Sequence, residues 1–380
     1  MKTLLKNLIT CLLFAIMSTS CSNDNEETAT TLATTDVYIG GSTRGGNNVQ
    51  VPTIWKNGVP TILPSLPDVQ TIVEKIVVSG NDVYAINSSF NEDGKILVWK
   101  NGVLIQTIPN NFPIDLKVDN NDIYILGKSN NVFKYWKNGD ETILTNNSSF
   151  NQVLNMEVLN GDVYIAGSEQ NGTSSVAKLW KNGAATVISN PTLPTLVNGL
   201  DINGNDVVVL LRETSLSNTI SLKTWKNGTI NTIETGIFND FSFGTGVVQI
   251  SSNDIYVSAK VPLSNSSSKI VFWKNNIKSD ITSGTSTSSL FDMKVKGSDA
   301  HILFSEKNPD ATGKMVLKLS KNGQTTILTT DAQGDVLNAA MSISNNGNVH
   351  ISALGKYFIN NTSVGLEGLF SRTFSIFTVN

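Results

Sequence analysis

The chain is short of reactive side chains. Its 380 residues include two cysteines and two histidines, and only 16% are charged. Cys11 lies inside an N-terminal apolar run, so a mature form holds at most one thiol, Cys21, and no internal disulfide. With His301 and His350 alone, the sequence offers neither a free histidine beside a nucleophile nor the several ligands of a zinc site. No cofactor or metal is expected, and no catalytic residue can be named. Basic runs are also missing. Without residues 1–20 the chain carries 26 basic against 31 acidic side chains, about −5 net, which excludes nucleic acid as a partner. The apolar run Leu8 to Met17 is too short to span a bilayer.

Tryptophan is what the chain does have, in one setting. Trp55, Trp99, Trp136, Trp180 and Trp225 each open Trp-Lys-Asn-Gly, and Trp273 opens Trp-Lys-Asn-Asn. A seventh copy reads Ser320-Lys321-Asn322-Gly323. The steps between copies are 44, 37, 44, 45, 48 and 47 residues. A period of that length made of short strands predicts a β-propeller, one blade per repeat.

The fourth repeat shows the unit. Asn155–Leu159 is a strand, Asn160-Gly161-Asp162 a turn, and Val163–Gly167 a second strand. A polar loop Ser168–Ser175 follows, then a strand ending at Trp180, a turn at Asn182-Gly183, and a fourth strand Ala185–Ile188. Asn-Gly between apolar runs favours two-residue hairpins, because both positions tolerate positive φ. The near-continuous apolar second strand predicts a sheet covered on both faces. The tryptophans therefore read as packing between blades and the repeated Asp as turn chemistry, its carboxylate accepting backbone N–H bonds. His301 and His350 fall where other repeats have Tyr38, Tyr84, Tyr124, Tyr164 and Tyr256, which makes them structural. Gly40–Gly46 lacks the ending of a phosphate cradle and reads as a blade loop; Asp119–Asp122 lacks calcium-loop spacing and reads as a turn.

Second-strand motifs begin at Asp36, Asp82, Asp122, Asp162, Asp206, Asp254, Asp299 and a degenerate Asn348. The first has no strand before it, and Phe370–Val379 has none after it. Pairing the two chain ends gives eight four-stranded antiparallel blades; seven is the alternative.

The N-terminus reads separately. Lys2 and Lys6, the apolar run and Ser18-Thr19-Ser20 before Cys21 form a signal peptide over 1–20. Met17–Cys21 resembles the lipobox of bacterial lipoproteins, which implies lipidation (palmitate) of Cys21. The acidic stretch Asp24–Glu27 resembles the surface-export signal of Bacteroidetes-type lipoproteins. The resemblance implies an outer-membrane lipoprotein of the cell envelope, surface-exposed or facing the periplasm. Residues 21–35 read as a disordered tether and 36–380 as a single propeller domain. The whole mature chain resembles exported bacterial propeller lipoproteins with Trp-Lys-Asn-Gly repeats, a group with no activity to carry over.

Tight turns join strands one to two and three to four, whereas the other connections are long. One face of the ring should then be regular and the other decorated. Recognition belongs on variable loops held by a rigid scaffold. The candidate binding residues there are Arg44, Phe90, Glu92, Asp93, Phe112, Phe150, Glu169, Arg212, Glu213, Phe238, Asp240, Phe241, Phe243, Glu306 and Asp310. The expected function is a monomeric, lipid-anchored binding protein for a protein or glycan. The rivals are a carboxylate-dependent glycan hydrolase or lyase and a structural part of a surface assembly. Lipid on Cys21 would be the only anchor in the mature chain. Cys21→Ala should therefore leave the protein soluble or unprocessed, and membrane fractionation of the mutant checks this.

Overall fold

Each Asn-Gly pair sets a hairpin. Asn182 and Gly183 have φ of 50° and 84°, and the same pair of positive values recurs at Asn57-Gly58, Asn101-Gly102, Asn138-Gly139, Asn227-Gly228 and Asn322-Gly323. At Asn275-Asn276 and Asn360-Asn361 the second asparagine adopts it as well. Two positive φ angles make the turn whose twist matches the flanking strands.

The computed structural model describes residues 35–380 except 47–48, 67–69, 89–93, 147–150, 173, 237–245, 264–266, 309–313, 333–338, 354, 367–368 and 380. The described residues form eight four-stranded antiparallel sheets, a β-propeller. The blades span 36–62 (with 369–379), 75–109, 112–143, 151–187, 195–236, 246–280, 288–332 and 339–365. Within each sheet the strands follow in sequence, first strand innermost. In blade 1 the innermost strand is the last of the chain: Leu369–Val379 pairs with Asp36–Arg44, Asp36 opposite Val379 and Tyr38 opposite Phe377. The expected closure holds. Ala339–Ile343 pairs with Val349–Ala353 inside a blade of its own, which leaves no room for a seven-bladed count.

Three details differ from the sequence reading. The fourth repeat's loop at Ser168–Ser175 is mostly hairpin: the strands run Asp162–Asn171 and Ser174–Lys181, since alternating polar residues suit a strand with one face toward water. Two-residue links also join the second and third strands of blades 3 and 8, so long connections are not universal. Gly40 and Gly41 sit in the strand Asp36–Arg44, not in a loop. A Cβ on Gly40 would come within 2.7 Å of the Val73 side chain, so the glycine serves close packing.

The repeated Asp also has a different partner. Asp162 Oδ1 accepts from Asn182 Nδ2 at 2.8 Å, and its Oδ2 pairs with Lys181 at 2.8 Å. The Val163 backbone N–H goes instead to Asn182 Oδ1, at 2.8 Å. The register that places Tyr164 opposite Lys181 carries the third-to-fourth turn past the start of the second strand. Asn182 therefore reaches both groups. Lys181 lies 5.0 Å above the Tyr164 ring, which explains the tyrosine at this position. The ion pair recurs at Lys56–Asp36, Lys100–Asp82, Lys137–Asp122, Lys226–Asp206, Lys274–Asp254 and Lys321–Asp299. Hydrogen bonds from Lys181 and then Asn182 hold the Asp162 carboxyl below its ordinary range. Such exposed pairs add little stability each; their repetition fixes register. Blade 8 keeps a neutral version, Asn360 Nδ2 to Asn348 Oδ1 at 2.7 Å.

Apolar clusters lie between successive blades all the way round. Trp99 packs with Tyr38, Ile54 and Ile76, and Trp55 with Tyr357 and Ile376. Each tryptophan thus faces the preceding blade, and the residue before it, such as Val98 against Leu116, faces the next. Trp99 Nε1 donates to Pro64 O at 2.8 Å and Trp180 Nε1 to Leu144 O at 3.1 Å, both in the connection that leaves the preceding blade. Phe358 fills the tryptophan position of blade 8, opposite Ile351 as Trp180 is opposite Ile165. Trp225 alone is half-buried.

Ser320 lacks a ring, and the gap is filled from the neighbouring strand. Blade 7 has Phe304 where blade 3 has Gly127, and a Cβ on Gly127 would stand 3.0 Å from the Trp136 ring. Blade 5 carries Leu211 at this position beside a retained Trp225, the one half-buried tryptophan; in blade 7 the larger phenylalanine goes with loss of the tryptophan altogether. Phe304 is 1% exposed.

Two outcomes follow. Trp180→Ala should cost on the order of 3–5 kcal/mol in denaturant melts, the usual loss for a buried ring. Deleting residues 370–380 should unfold or aggregate the ring, which size-exclusion chromatography and circular dichroism would register.

Candidate functional site at the channel and the long-connection face

Adjacent blades share no backbone ladder, so the amides on the free edges of the innermost strands need other acceptors. Side chains of the preceding blade supply them. Asp201 Oδ2 accepts from Ile250 N at 2.6 Å, Gln249 Oε1 from Val295 N at 2.6 Å, and Ser375 Oγ from Ile76 N at 3.1 Å. Asp115 and Asp292 accept from Met156 N and Met341 N at 3.4 and 3.3 Å. These residues ring the axis where the blades converge.

Four charged side chains meet in that ring. Lys117 Nζ is 2.7 Å from Glu157 and 3.9 Å from Asp115, and Asp201 stands one blade further on. Burial pushes the Asp201 carboxyl up to about 6; the Ile250 N–H opposes the push and the Glu157 charge adds to it. Burial alone would depress Lys117, but Asp115, Glu157 and Asp201 together hold it above its ordinary range. A carboxyl with a raised pKa close to a second carboxyl is the raw material of acid–base chemistry. Here both already have partners, Glu157 in Lys117 and Asp201 in the next blade's backbone. Among the described residues no three His, Cys, Asp or Glu are grouped for a metal ion.

Sequence reasoning missed this collar. The available signal lay in two columns of the first strand. Val77, Lys117, Glu157, Asp201, Gln249, Lys294 and Ser342 each lie opposite the Tyr/His position of their own blade. Two residues earlier come Lys75, Asp115, Asp292 and Ser375, and charges recur in both columns.

The candidates chosen from sequence are placed as follows. Glu169, Glu213 and Glu306 occupy equivalent second-strand positions in blades 4, 5 and 7. Each is closed by a lysine of the third strand: Lys178, Lys223 and, at 2.6 Å, Lys318. They are strand residues in separate blades and do not converge. Arg212 is half-buried in the second strand of blade 5 with no ion pair or hydrogen bond among the described residues, and burial lowers its pKa. Phe112 is 38% exposed and its ring lies against Gly94. Arg44 is exposed at the end of its strand, opposite Gln50. Phe90, Glu92, Asp93, Phe150, Phe238, Asp240, Phe241, Phe243, Asp310 and Cys21 lie outside the described residues. Both histidines are buried and burial lowers their pKa; His350 Nδ1 is 2.6 Å from the Tyr357 hydroxyl.

No protein-family model matches the sequence, and no curated protein matches it. Among solved structures the chain is similar to the computationally designed protein Ika8, with a TM-score of 0.48 and 15% identity over 88% of this chain and 95% of that one. It is also similar to apo AztD from Citrobacter koseri (TM-score 0.49, 11% identity, 91% and 98% covered). The β-propeller domain of the Trilobed protease from Pyrococcus furiosus gives 0.45, 11%, 77% and 98%. Likeness this distant assigns no family.

Asp201 holds its proton more tightly in the folded chain than in an unfolded one. Its contribution to stability is therefore complete below about pH 4 and is lost as pH rises through about 6. The stability of wild type relative to Asp201→Asn should fall by on the order of 2–3 kcal/mol between about pH 4 and pH 8. Denaturant melts of both proteins at the two pH values check it.

Proposed function

We propose that the protein is a lipid-anchored binding protein of the bacterial cell envelope, attached through Cys21 and taking a protein or glycan on the long-connection face of the propeller. The asymmetry between the two faces carries this reading. On the short-turn face the repeated Asp is engaged by the Lys and Asn of the neighbouring turn in seven blades, leaving it uniform. At the opposite end the connections differ in length from blade to blade, from two residues at 110–111 to twelve at 63–74. That end also presents Arg212, which has no ion pair among the described residues, and the exposed Phe112 ring. Variable connections on a rigid frame are the usual seat of recognition.

The carboxylate-dependent hydrolase or lyase is supported by a different observation, the raised pKa of Asp201 beside Glu157. One experiment separates the readings. Full-length protein in detergent is screened on a glycan panel, with bound sugar and newly formed reducing ends measured together. Binding without cleavage, weakened roughly ten-fold by Arg212→Ala, supports the proposal. Cleavage abolished by Glu157→Gln or Asp201→Asn would favour the enzyme instead. Neither binding nor cleavage would leave protein partners or a structural role.

A further inference from the structure

The short-turn face is regular except where blades 7 and 8 meet. There the first-to-second turn of blade 8 lengthens to 344–348, and its clasp is the neutral Asn348–Asn360 pair. Beside it a cleft of about 320 Å³ opens between the two innermost strands, lined by Lys294, Val295, Lys296, Ser342, Ile343 and Asn345. No lining residue is acidic.

Lys296 is the unusual member. At the equivalent end of the innermost strand the other blades carry Ser79, Asp119, Leu159, Asn203, Ser251, Ser344 and Val379, none of them cationic. Lys296 is half-buried and forms no ion pair among the described residues; its ammonium donates to the Ser344 carbonyl. Lys294, two residues earlier, is held only loosely, 3.4 Å from Asp292, whose oxygens already accept from Met293 N and Met341 N. Two lysines thus face one cleft, and among the described residues the carboxylate beside them, Asp292, pairs with Lys294 and leaves Lys296 without a counter-charge. A half-buried cation without a counter-charge is unfavourable unless an anion supplies it.

We propose that this cleft binds a small oxyanion group (carboxylate, sulfate or phosphate), held by Lys294 and Lys296 with the Asn345 amide as a further donor. The geometry suits a compact charge: ammonium groups bind phosphate and carboxylate as point charges, and charge-assisted hydrogen bonds are the strong ones. The cleft lies on the face opposite the long connections, so its occupancy and the recognition proposed above stand or fall separately.

The test is calorimetric titration of the full-length protein in detergent at low ionic strength. The probes are sodium sulfate, inorganic phosphate, acetate and glucuronate, with glucose as the neutral control. Saturable binding of at least one anion is expected, roughly ten-fold or more weaker in Lys296→Gln and retained in Lys296→Arg. Glucuronate binding tighter than acetate assigns the group to an acidic sugar; sulfate or phosphate binding best assigns a free inorganic anion. Because Lys296 also bonds to the Ser344 carbonyl, thermal melts of each variant accompany the titrations. Lys294→Gln, which leaves that bond intact, provides a second loss variant. The proposal is overturned if wild type shows no saturable anion binding, or if binding survives unchanged in a folded Lys296→Gln, Lys294→Gln double variant.

Discussion

A four-stranded sheet that is apolar on both faces cannot stand alone in water. Each blade needs a neighbour on either side, and only a closed ring gives every blade two. The pairing of 36–44 with 369–379 is therefore the constraint from which the remaining architecture follows. Once the ring must close, side chains on each blade have to serve two interfaces. The alternation Val98 toward one blade and Trp99 toward the other is the local expression of that demand.

Packing and hydrogen bonding divide the labour across the blade. The tryptophan layer supplies burial, and the exposed Asp–Lys–Asn clasps add register at little energetic gain. Toward the axis, where no ladder joins one sheet to the next, Asp115, Asp201, Gln249 and Asp292 carry the blade-to-blade hydrogen bonds. The polar collar is thus structural before it is anything else, and any chemistry at Asp201 has to coexist with its bond to Ile250.

Blade number, ring closure and turn positions were legible because each depends on a motif repeated at a fixed spacing. The Asn-Gly turns declare their backbone angles, and the tryptophans declare which strand faces a neighbour. Other features were not legible, for physical reasons. Ser168–Ser175 carries the polar alternation of an exposed hairpin, which resembles a loop when its cross-strand partner is unseen. The clasp was misassigned because Asp162 and Asn182, twenty residues apart, meet only after the sheet has formed. The collar was invisible because its members differ in type and acquire meaning only across the gap between blades. Of the binding face, the strand-end glutamates proved to be paired with lysines, while Arg212 has no ion pair among the described residues.

The exchange between Ser320 and Phe304 has an evolutionary consequence. Repeats that begin as copies drift, and the tryptophan and the residue facing it compete for one volume. Blade 5 holds the step in between: Leu211 stands where blade 3 has Gly127, and Trp225 is kept but half-buried. In blade 7 the facing residue has grown to Phe304 and the ring is lost. The facing residue can therefore enlarge first, so the two positions drift one after the other.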